Sequence, residues 1–262
     1  MGTLALFPSA GCAQFPRSHK NIDFEPISWY NTSADTGLRK GGIFMCKITE
    51  LYDLSHTIAG AYLSSFTYPW EALKGIKETI VSMGEALDKE AFSEIAPQVW
   101  VHNTAKIAPT AYIGGPCIIG AGTEVRHCAF IRGSALVGEN CVVGNSTELK
   151  NVIIFDNVQV PHYNYVGDSI LGYRSHMGAG SITSNVKSDK SLVVIKCDPP
   201  IATGIKKVGA MLGDFVEIGC NSVLNPGTVI GRNSSVYPTS CVRGVVPANS
   251  IYKKDDTIVE KK

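Results

Sequence analysis

The chain has 262 residues, a formal net charge of +1 at pH 7 and 18% charged residues. This length suits one sizeable domain with a small appendage. The near-neutral charge balance excludes an electrostatic attraction to nucleic acid or to an acidic membrane surface. No apolar run reaches the roughly 18 residues that a membrane-spanning helix needs. We therefore expect neither a nucleic-acid partner nor a membrane partner.

The eight cysteines are scattered along the chain rather than paired at short spacings. The opening segment "MGTLALFPSAGC" has no basic start and only a short apolar stretch, which is unlike a secretory signal. Thiols stay reduced in the cytosol, where disulfides are rare. We expect free cysteines and a cytoplasmic protein.

Two segments precede the main body. Residues 1–44 show no sustained periodicity and are predicted to be a disordered or non-native leader. Residues 45–96 are predicted to form two helices that pack on the body that follows. Apolar residues recur at spacings of three and four in each helix, which gives each one apolar face. The weaker first stripe is Leu51, Leu54, Ile58 and Tyr62, and the second is Trp70, Leu73, Ile76, Ile80, Met83 and Leu87.

From residue 101 onward, aliphatic residues recur every six positions. Small residues follow four positions later, among them Cys117 and Cys141. A period of six fits neither a helix nor a simple strand and indicates a hexapeptide-repeat parallel β-helix. The period does not show the hand, but solenoids of this kind are usually left-handed. The aliphatic positions are Val101, Ile107, Ile113, Ile119, Val125, Ile131, Val137, Val143 and Leu149, then Leu212, Ile218, Leu224, Ile230, Val236 and Val242.

We therefore predict an all-β fold, a left-handed parallel β-helix over residues 97–252 with a short N-terminal helical segment. Cys117 and Cys141 are expected to point inward as small buried residues. A loop over residues 186–210 interrupts the repeat, and a charged tail follows over residues 253–262. This loop carries five lysines in a chain of little net charge, so it is a candidate site for an anionic ligand.

The stretch "VPHYNYVGDSILG" places His162 and two tyrosines beside a Gly-Asp turn. Imidazole has a reference pKa near about 6.5, so it can accept a proton from an attacking amine at neutral pH. Lysine ammonium groups can hold a phosphate as point charges. From this chemistry alone, His162 is equally well interpreted as a catalytic base or as an ordinary surface histidine.

Residues 101–252 resemble the β-helix half of a bifunctional family. Its members combine a sugar-1-phosphate nucleotidylyltransferase (UDP-N-acetylglucosamine pyrophosphorylase) with a glucosamine-1-phosphate N-acetyltransferase. The motifs that carry the resemblance are "HYNYVGDSILG", "MGAGSITSNV" and "TGIKKVGAMLGDFVEIGCNSVLNPGTVIG". The segment from Met45 also resembles stand-alone proteins described as UDP-N-acetylglucosamine pyrophosphorylase-like. The resemblance implies a homotrimer in which the amine attacks acetyl-CoA directly, in a site shared between subunits.

The resemblance also implies roles for individual residues. His162 would be the general base. The residues implied at the amino-sugar phosphate are Tyr165, Asn185, Lys190, Lys187 and His176. Of these, Lys187 and Lys190 are rivals for one role, and His176 is open between a substrate contact and a wall residue. The residues implied at acetyl-CoA are Ala179, Cys220, Lys206 and Lys207, and the two lysines could also meet the sugar phosphate.

The chain departs from the family at several points. His176 stands where an asparagine is usual, and Val186-Lys187 replaces Tyr-Asp, which leaves the sugar and the acyl group open. The nucleotidylyltransferase half has no counterpart among residues 1–100. We therefore expect a CoA-dependent acyltransferase that acetylates glucosamine or galactosamine 1-phosphate, without pyrophosphorylase activity of its own.

Three alternatives remain open. The chain could be a non-catalytic trimeric module that binds a sugar phosphate or nucleotide sugar. It could be a nucleotidylyltransferase subunit that needs a partner domain. A zinc site using His127, His162 and His176 is the weakest of the three, because no third histidine stands about five residues after His162. We expect no metal requirement.

Overall fold

The computed structural model describes residues 46–253 and 256–261, so the predicted leader over residues 1–44 lies outside the described residues. Residues 48–85 form five short helical segments rather than the two predicted helices. Three are α-helices and two are 3₁₀ turns. The α-helices are α1 (Ile48–Leu51), α2 (Gly60–Leu63) and α3 (Ile76–Glu85), and the 3₁₀ turns are Leu54–His56 and Pro69–Gly75.

The predicted helices are interrupted for local reasons. Asp53 has extended backbone and accepts a hydrogen bond from Ser55 N, which ends α1 and starts a separate turn. Pro69 begins the second 3₁₀ turn in the place a first-turn proline takes. The second predicted apolar face is nevertheless buried: Trp70, Ile76 and Ile80 are each at most 2% exposed. The first stripe is not a helix face, because Ile58 is 48% exposed.

The rest of the described chain consists mainly of short strands. In chain order they are β1 (Phe92–Ala96), β2 (Val99–His102), β3 (Lys106–Ile107), β4 (Tyr112–Ile113), β5 (Cys117–Ile119), β6 (Glu124–Val125), β7 (Phe130–Ile131), β8 (Ala135–Val137), β9 (Val142–Asn145), β10 (Glu148–Ile154), β11 (Gln159–His162), β12 (Tyr165–Leu171), β13 (His176–Met177), β14 (Ile182–Thr183), β15 (Val194–Ile195), β16 (Ile201–Ala202), β17 (Ala210–Leu212), β18 (Glu217–Ile218), β19 (Val223–Leu224), β20 (Thr228–Ile230), β21 (Ser235–Val236), β22 (Cys241–Val242), β23 (Val245–Val246), β24 (Ser250–Tyr252) and β25 (Ile258–Glu260).

These strands stack in parallel as the three faces of a prism. The first face contains β2, β5, β8, β17, β20 and β23, and the second runs from β3 through β9, β11 and β13 to β24. The third contains β4, β7, β14, β19 and β22, while β10 and β12 bend from the third face into the first. Three hexapeptides make one coil, because Val101 pairs with Ile119 and Ile119 with Val137. The predicted all-β fold, a parallel β-helix after a short helical segment, is confirmed.

The inward positions of the repeat form the core. Ile119, Ile131 and Val143 are fully buried, as are the small Cys117 and Cys141. The two cysteines therefore fill the interior as predicted. The small slot suits them because the corner of the prism leaves no room for a larger side chain.

The first face is also buried on its outer side. Five outward residues of this face are apolar and at most 2% exposed: Ile118, Leu136, Ile153, Ile170 and Met211. Helix α3 packs on β5, β8 and β10, and the 3₁₀ turn Pro69–Gly75 packs on β12. The inserted loop contributes Val193 and Ile195, both fully buried, from the segment that contains the antiparallel pair β15–β16. The first face is therefore covered by the chain itself.

Antiparallel strands cover both ends of the described β-helix. At the start, β1 pairs antiparallel with β2, and at the end, β25 pairs antiparallel with β24. The helical segment covers the first face and neither end. Part of the charged tail, β25, covers the final end and protects a strand edge there. No described helix is long and apolar enough to cross a membrane.

Candidate functional site

His162, Ala179 and Cys220 lie on one edge of the prism, where the second face turns into the third. His162 ends β11 and its side chain is exposed. On the next coil, Gly180 N donates to His162 O at 3.0 Å, and on the coil after that, Asn221 N donates to Ala179 O at 2.8 Å. The three predicted residues therefore follow one another on successive coils. We call this line the site edge.

A buried asparagine anchors the turn at His162. Asn164 is 2% exposed, and its Oδ1 accepts a hydrogen bond from His162 N at 3.1 Å. Its Nδ2 donates to Gly178 O at 2.8 Å and to Ser181 O at 3.1 Å on the next coil. Tyr163 has a φ of 51°, in the left-handed region that a tight turn requires. Asn164 thus fixes the backbone that presents the imidazole.

Tyr165 and Asn185 meet on the third face, on adjacent coils. Asn185 Nδ2 donates to the Tyr165 hydroxyl at 3.2 Å. The two side chains lie over Gly167, where a Cβ would come within 2.5 Å of the Tyr165 hydroxyl and 2.9 Å of Asn185 Nδ2. Burial raises the pKa of Tyr165 above its ordinary value, so the hydroxyl keeps its proton at neutral pH.

Beside Tyr165 and Asn185 lies the buried carboxylate of Asp168, which the sequence motifs do not identify as a site residue; we call these three residues the Tyr165–Asn185 cluster. Asp168 is 3% exposed and adopts a left-handed φ of 48° at the corner between the third and first faces. Lys150 Nζ contacts its two carboxylate oxygens at 3.0 and 3.1 Å. Asn151 Nδ2 donates to it at 2.9 Å and Asn185 Nδ2 at 2.5 Å. The sequence signal for Asp168 was the Gly-Asp turn close to His162. A carboxylate that is buried at such a turn needs hydrogen-bond or ion-pair partners.

Cations occupy equivalent third-face positions on successive coils. Lys150 pairs in register with Gly167, and Arg132 follows Ile131, which pairs with Leu149. Arg132 Nη1 donates to Glu148 Oε1 at 2.8 Å, and this contact raises the pKa of the exposed guanidinium. Arg132 and Lys150 were also missed from the sequence, because the pattern predicts only that these positions face outward.

The lysines of the inserted loop are distributed differently. Lys207 forms an isolated antiparallel bridge with Val186, the residue after Asn185. Lys187 Nζ contacts Ser191 and lies 3.6 Å from Asp189. The side chains of Lys190, Lys206 and Lys207 make no hydrogen bond or ion pair with residues in the described ranges, and all three are exposed. Lys207 therefore lies beside the Tyr165–Asn185 cluster rather than on the site edge.

His176 lies on the second face and is separated from that cluster within one chain. Its Nδ1 is 2.8 Å from Glu217 Oε2 on the next coil. The pair borders an open polar cleft of about 390 Å³ that also includes Gln159 and Arg174. A single chain thus does not bring His176 to Tyr165 and Asn185.

Among the described residues, His127, His162 and His176 do not form a metal site within one chain. Asn145 lies between His127 and His162 on the edge, since Asn145 pairs with His162 and its Nδ2 donates to His127 O. Two coils separate the backbones of His127 and His162, about 10 Å at the usual strand spacing. Within residues 46–253 and 256–261, no group of three His, Cys, Asp or Glu side chains is arranged to hold a metal ion.

Comparison with known proteins assigns the family. The profile described as "GMPPB C-terminal domain" matches residues 115–251, just over half of the chain, so the chain belongs to this family. The bifunctional protein GlmU of Methanococcus maripaludis is 35% identical over 114 residues, which cover 43% of this chain and 28% of that protein. The GlmU of Methanococcus aeolicus is 32% identical over 192 residues, 66% of this chain and 47% of that protein. The chain thus spans less than half the length of these relatives.

Two solved acetyltransferase structures resemble part of this chain at low sequence identity. The polySia-specific acetyltransferase NeuO has a TM-score of 0.40 at 12% identity, with 63% of this chain and 88% of that chain covered. A putative acetyltransferase of Bacillus cereus has a TM-score of 0.34 at 16% identity, with 61% and 76% covered.

Proposed function

We propose that this protein is a CoA-dependent N-acyltransferase that acetylates the amine of a hexosamine 1-phosphate, with His162 as the general base. The observation that carries the proposal is the exposed His162 imidazole on the site edge, three residues from Tyr165 and its partner Asn185. Membership in the family and the GlmU relatives support an acyltransferase of sugar metabolism.

The proposed chemistry needs a base, a thioester and no acyl-enzyme. His162 removes a proton from the substrate ammonium, and the freed amine attacks the thioester carbonyl carbon of acetyl-CoA. The C–N bond forms as the carbonyl oxygen becomes an oxyanion, which backbone N–H groups of the site edge can stabilise. The intermediate collapses by breaking the C–S bond, and the CoA sulfur leaves with its electron pair. The departing thiolate takes the second proton of the attacking nitrogen, and His162 releases the first proton to solvent, so the products are the acetamido sugar, the CoA thiol and one proton.

The third-face cations suit the anionic end of such a substrate. Lys150 is half-buried beside Asp168, and Arg132 lies on the coil below. The Tyr165 hydroxyl remains protonated and can donate to a phosphate or sugar oxygen. We assign the sugar phosphate to Tyr165 and Asn185, assisted by Lys150, by one of the two loop lysines Lys187 and Lys190, and by Lys207.

Acetyl-CoA is assigned to the site edge. Ala179 and Cys220 lie on the two coils after His162, and the exposed Cys220 leaves space beside the edge for the thioester arm. The ammonium groups of Lys206 and Lys207 are exposed and fit the phosphates of CoA or of the sugar.

We also propose a cytoplasmic homotrimer. The third face carries exposed aromatic side chains outside the cluster: Tyr112 is 60% exposed and Phe130 is 42% exposed. Exposed apolar side chains on a sheet face that the chain leaves uncovered favour contact with another copy. A neighbouring subunit could also supply His176 with its partner Glu217. Light scattering of the purified protein tests this, and a monomer would contradict it.

The proposal is tested by measuring CoA release from acetyl-CoA with glucosamine 1-phosphate, galactosamine 1-phosphate and unphosphorylated glucosamine. We expect turnover with a phosphorylated amino sugar and little with glucosamine. A folded protein that binds the sugar phosphates without releasing CoA would instead be the binding module. Pyrophosphate formation from UTP and a sugar 1-phosphate, in the presence of a co-purified partner, would support the nucleotidylyltransferase alternative.

A further inference from the structure

The carboxylate of Asp168 determines the orientation of the Asn185 amide. An ionised carboxylate only accepts hydrogen bonds, so the amide nitrogen rather than the amide oxygen must face it. Asn185 Nδ2 accordingly donates to Asp168 Oδ2 at 2.5 Å. Asn185 Oδ1 accepts no hydrogen bond from the residues that the structure describes. It is directed away from Asp168 and is available as an acceptor.

The same amide determines what the Tyr165 hydroxyl can do. Asn185 Nδ2 also donates to this hydroxyl oxygen at 3.2 Å, which uses one of its acceptor positions. The hydroxyl proton is retained because burial raises the pKa of Tyr165, and it is donated to no other group in the described part of the chain. The hydroxyl therefore has a donor left for a ligand.

We infer that Asp168 is a positioning residue that fixes the hydrogen-bond polarity of the sugar-phosphate site; the inference rests on the proposed function. It makes Asn185 Oδ1 an acceptor and the Tyr165 hydroxyl a donor toward the ligand. An amino-sugar phosphate complements this arrangement. A sugar N–H or O–H meets Asn185, and an oxygen of the phosphate or of the ring substituents meets Tyr165.

Asp168 also joins separate parts of the fold, so a structural contribution must be separated from the positioning role. Asn151 Nδ2 bridges Asp168 Oδ1 and Leu73 O of the helical segment, at 2.9 and 3.2 Å. The backbone N–H of Gly209, at the end of the inserted loop, donates to Asp168 O at 2.8 Å. Loss of these ties would reduce stability without changing the affinity for one substrate selectively.

The test is the variant Asp168→Asn, alone and combined with Asn185→Ala. An amide at position 168 can donate, so Asn185 is no longer held in one orientation. We expect the KM for glucosamine 1-phosphate to rise roughly tenfold, because a hydrogen bond is lost, with the KM for acetyl-CoA unchanged. In the Asn185→Ala background, Asp168→Asn should raise the KM by less than about twofold, because the residue through which it acts is gone.

The matched control is Asp214→Asn. Asp214 is likewise a fully buried aspartate paired with a cation, Arg232 Nη2 at 2.9 Å, and it accepts from Asp53 N and Tyr173 N. It lies outside the cluster, on the side of the helical segment that carries Asp53. We expect Asp214→Asn to lower the thermal midpoint while both KM values stay at the wild-type level.

Three results would overturn the inference. One is an equal rise in KM from Asp168→Asn in both backgrounds, which indicates a structural role. Another is a fall in KM, as expected if the only effect were removal of a negative charge beside a bound phosphate. The third is an unchanged KM in an active enzyme, which leaves the proposed function intact. Calorimetric titration of glucosamine 1-phosphate into the same variants measures the affinity for the sugar phosphate without turnover. A wild-type protein that neither binds nor reacts contradicts both proposals.

Discussion

The hydroxyl of Tyr165 lies directly above Gly167, so close that a Cβ on the glycine would be 2.5 Å from the hydroxyl oxygen. Gly167→Ala should push Tyr165 and Asn185 aside, because both are movable side-chain ends. We expect a rise in the KM for the amino-sugar phosphate of about tenfold or more, on the scale of a lost hydrogen bond. The thermal midpoint should change by only a few degrees.

Gly114→Ala is the control for this substitution. Gly114 occupies the equivalent third-face position on an earlier coil, and its added Cβ would meet Arg132 O at 3.2 Å, a tight contact but without the 2.5 Å overlap found at Gly167. The KM of Gly114→Ala for the amino-sugar phosphate should match that of the wild type. Equal effects of the two alanine substitutions on KM would argue against a specific role of the space above Gly167.

The second prediction concerns the packing of the helical segment on the β-helix. Gly84 of α3 contacts the face of Trp100, and an added Cβ would lie 2.2 Å from the indole ring. Because Trp100 is only 8% exposed, it has little room to move. Gly84→Ala should lower the free energy of unfolding by about 1–3 kcal/mol, the usual cost of overpacking. Urea denaturation measures this, and an unchanged midpoint would contradict the packing of α3 against Trp100.

Thiol labelling tests the location of acetyl-CoA. Cys128, Cys220 and Cys241 are exposed, whereas Cys117 and Cys141 are buried in the prism. The exposed thiols should react with a maleimide in the native protein, and the buried ones only after unfolding. Acetyl-CoA should slow the labelling of Cys220 and leave that of Cys241 unchanged, as mapped by mass spectrometry. Equal rates at Cys220 with and without acetyl-CoA would exclude it from the donor site.

The buried thiols also predict an alkaline loss of stability. Burial raises the pKa of Cys141 to about 12 from an ordinary value of 9.0. Below pH 9 the thiol is protonated in both folded and unfolded chains. Between pH 9 and about 12 only the unfolded chain releases the proton, so stability falls by up to about 1.4 kcal/mol per pH unit from this group.

Cys141→Ala isolates that contribution from other alkaline titrations. The wild type should lose more unfolding free energy than Cys141→Ala does as the pH rises from 8 to 10.5. Denaturation curves at several pH values measure it. A difference that is constant over this range would show that Cys141 ionises as readily in the folded chain as in the unfolded chain.

The β-helix was predictable because its signal is repeated many times. The inward position that Ile119 and Ile131 occupy has the same environment on every coil. The six-residue period is therefore visible without any long-range information. The helical segment was harder to predict. Its apolar spacing correctly indicates that Trp70 and Ile80 are buried, but short turns at Asp53 and Pro69 present the same side chains without continuous helices.

The candidate site was only partly predictable for a different reason. His162, Tyr165 and Asn185 belong to motifs that resemble a known family, and the structure brings Tyr165 and Asn185 into contact. Asp168 and Lys150 stand 18 positions apart, and their pairing follows from the coil register rather than from either local sequence. His176 belongs to another face, and no single-chain pattern relates it to the cluster.

The central claim, that His162 is the base, is tested most directly by CoA release from His162→Ala beside His127→Ala. His127 occupies the same edge position two coils earlier and hydrogen-bonds Thr110, so its loss matches the change in surface without touching the proposed site. We predict that His162→Ala lowers kcat by a factor of about 100 or more, as expected for removal of a general base, while His127→Ala keeps wild-type turnover. Wild-type turnover in a folded His162→Ala protein would contradict the account.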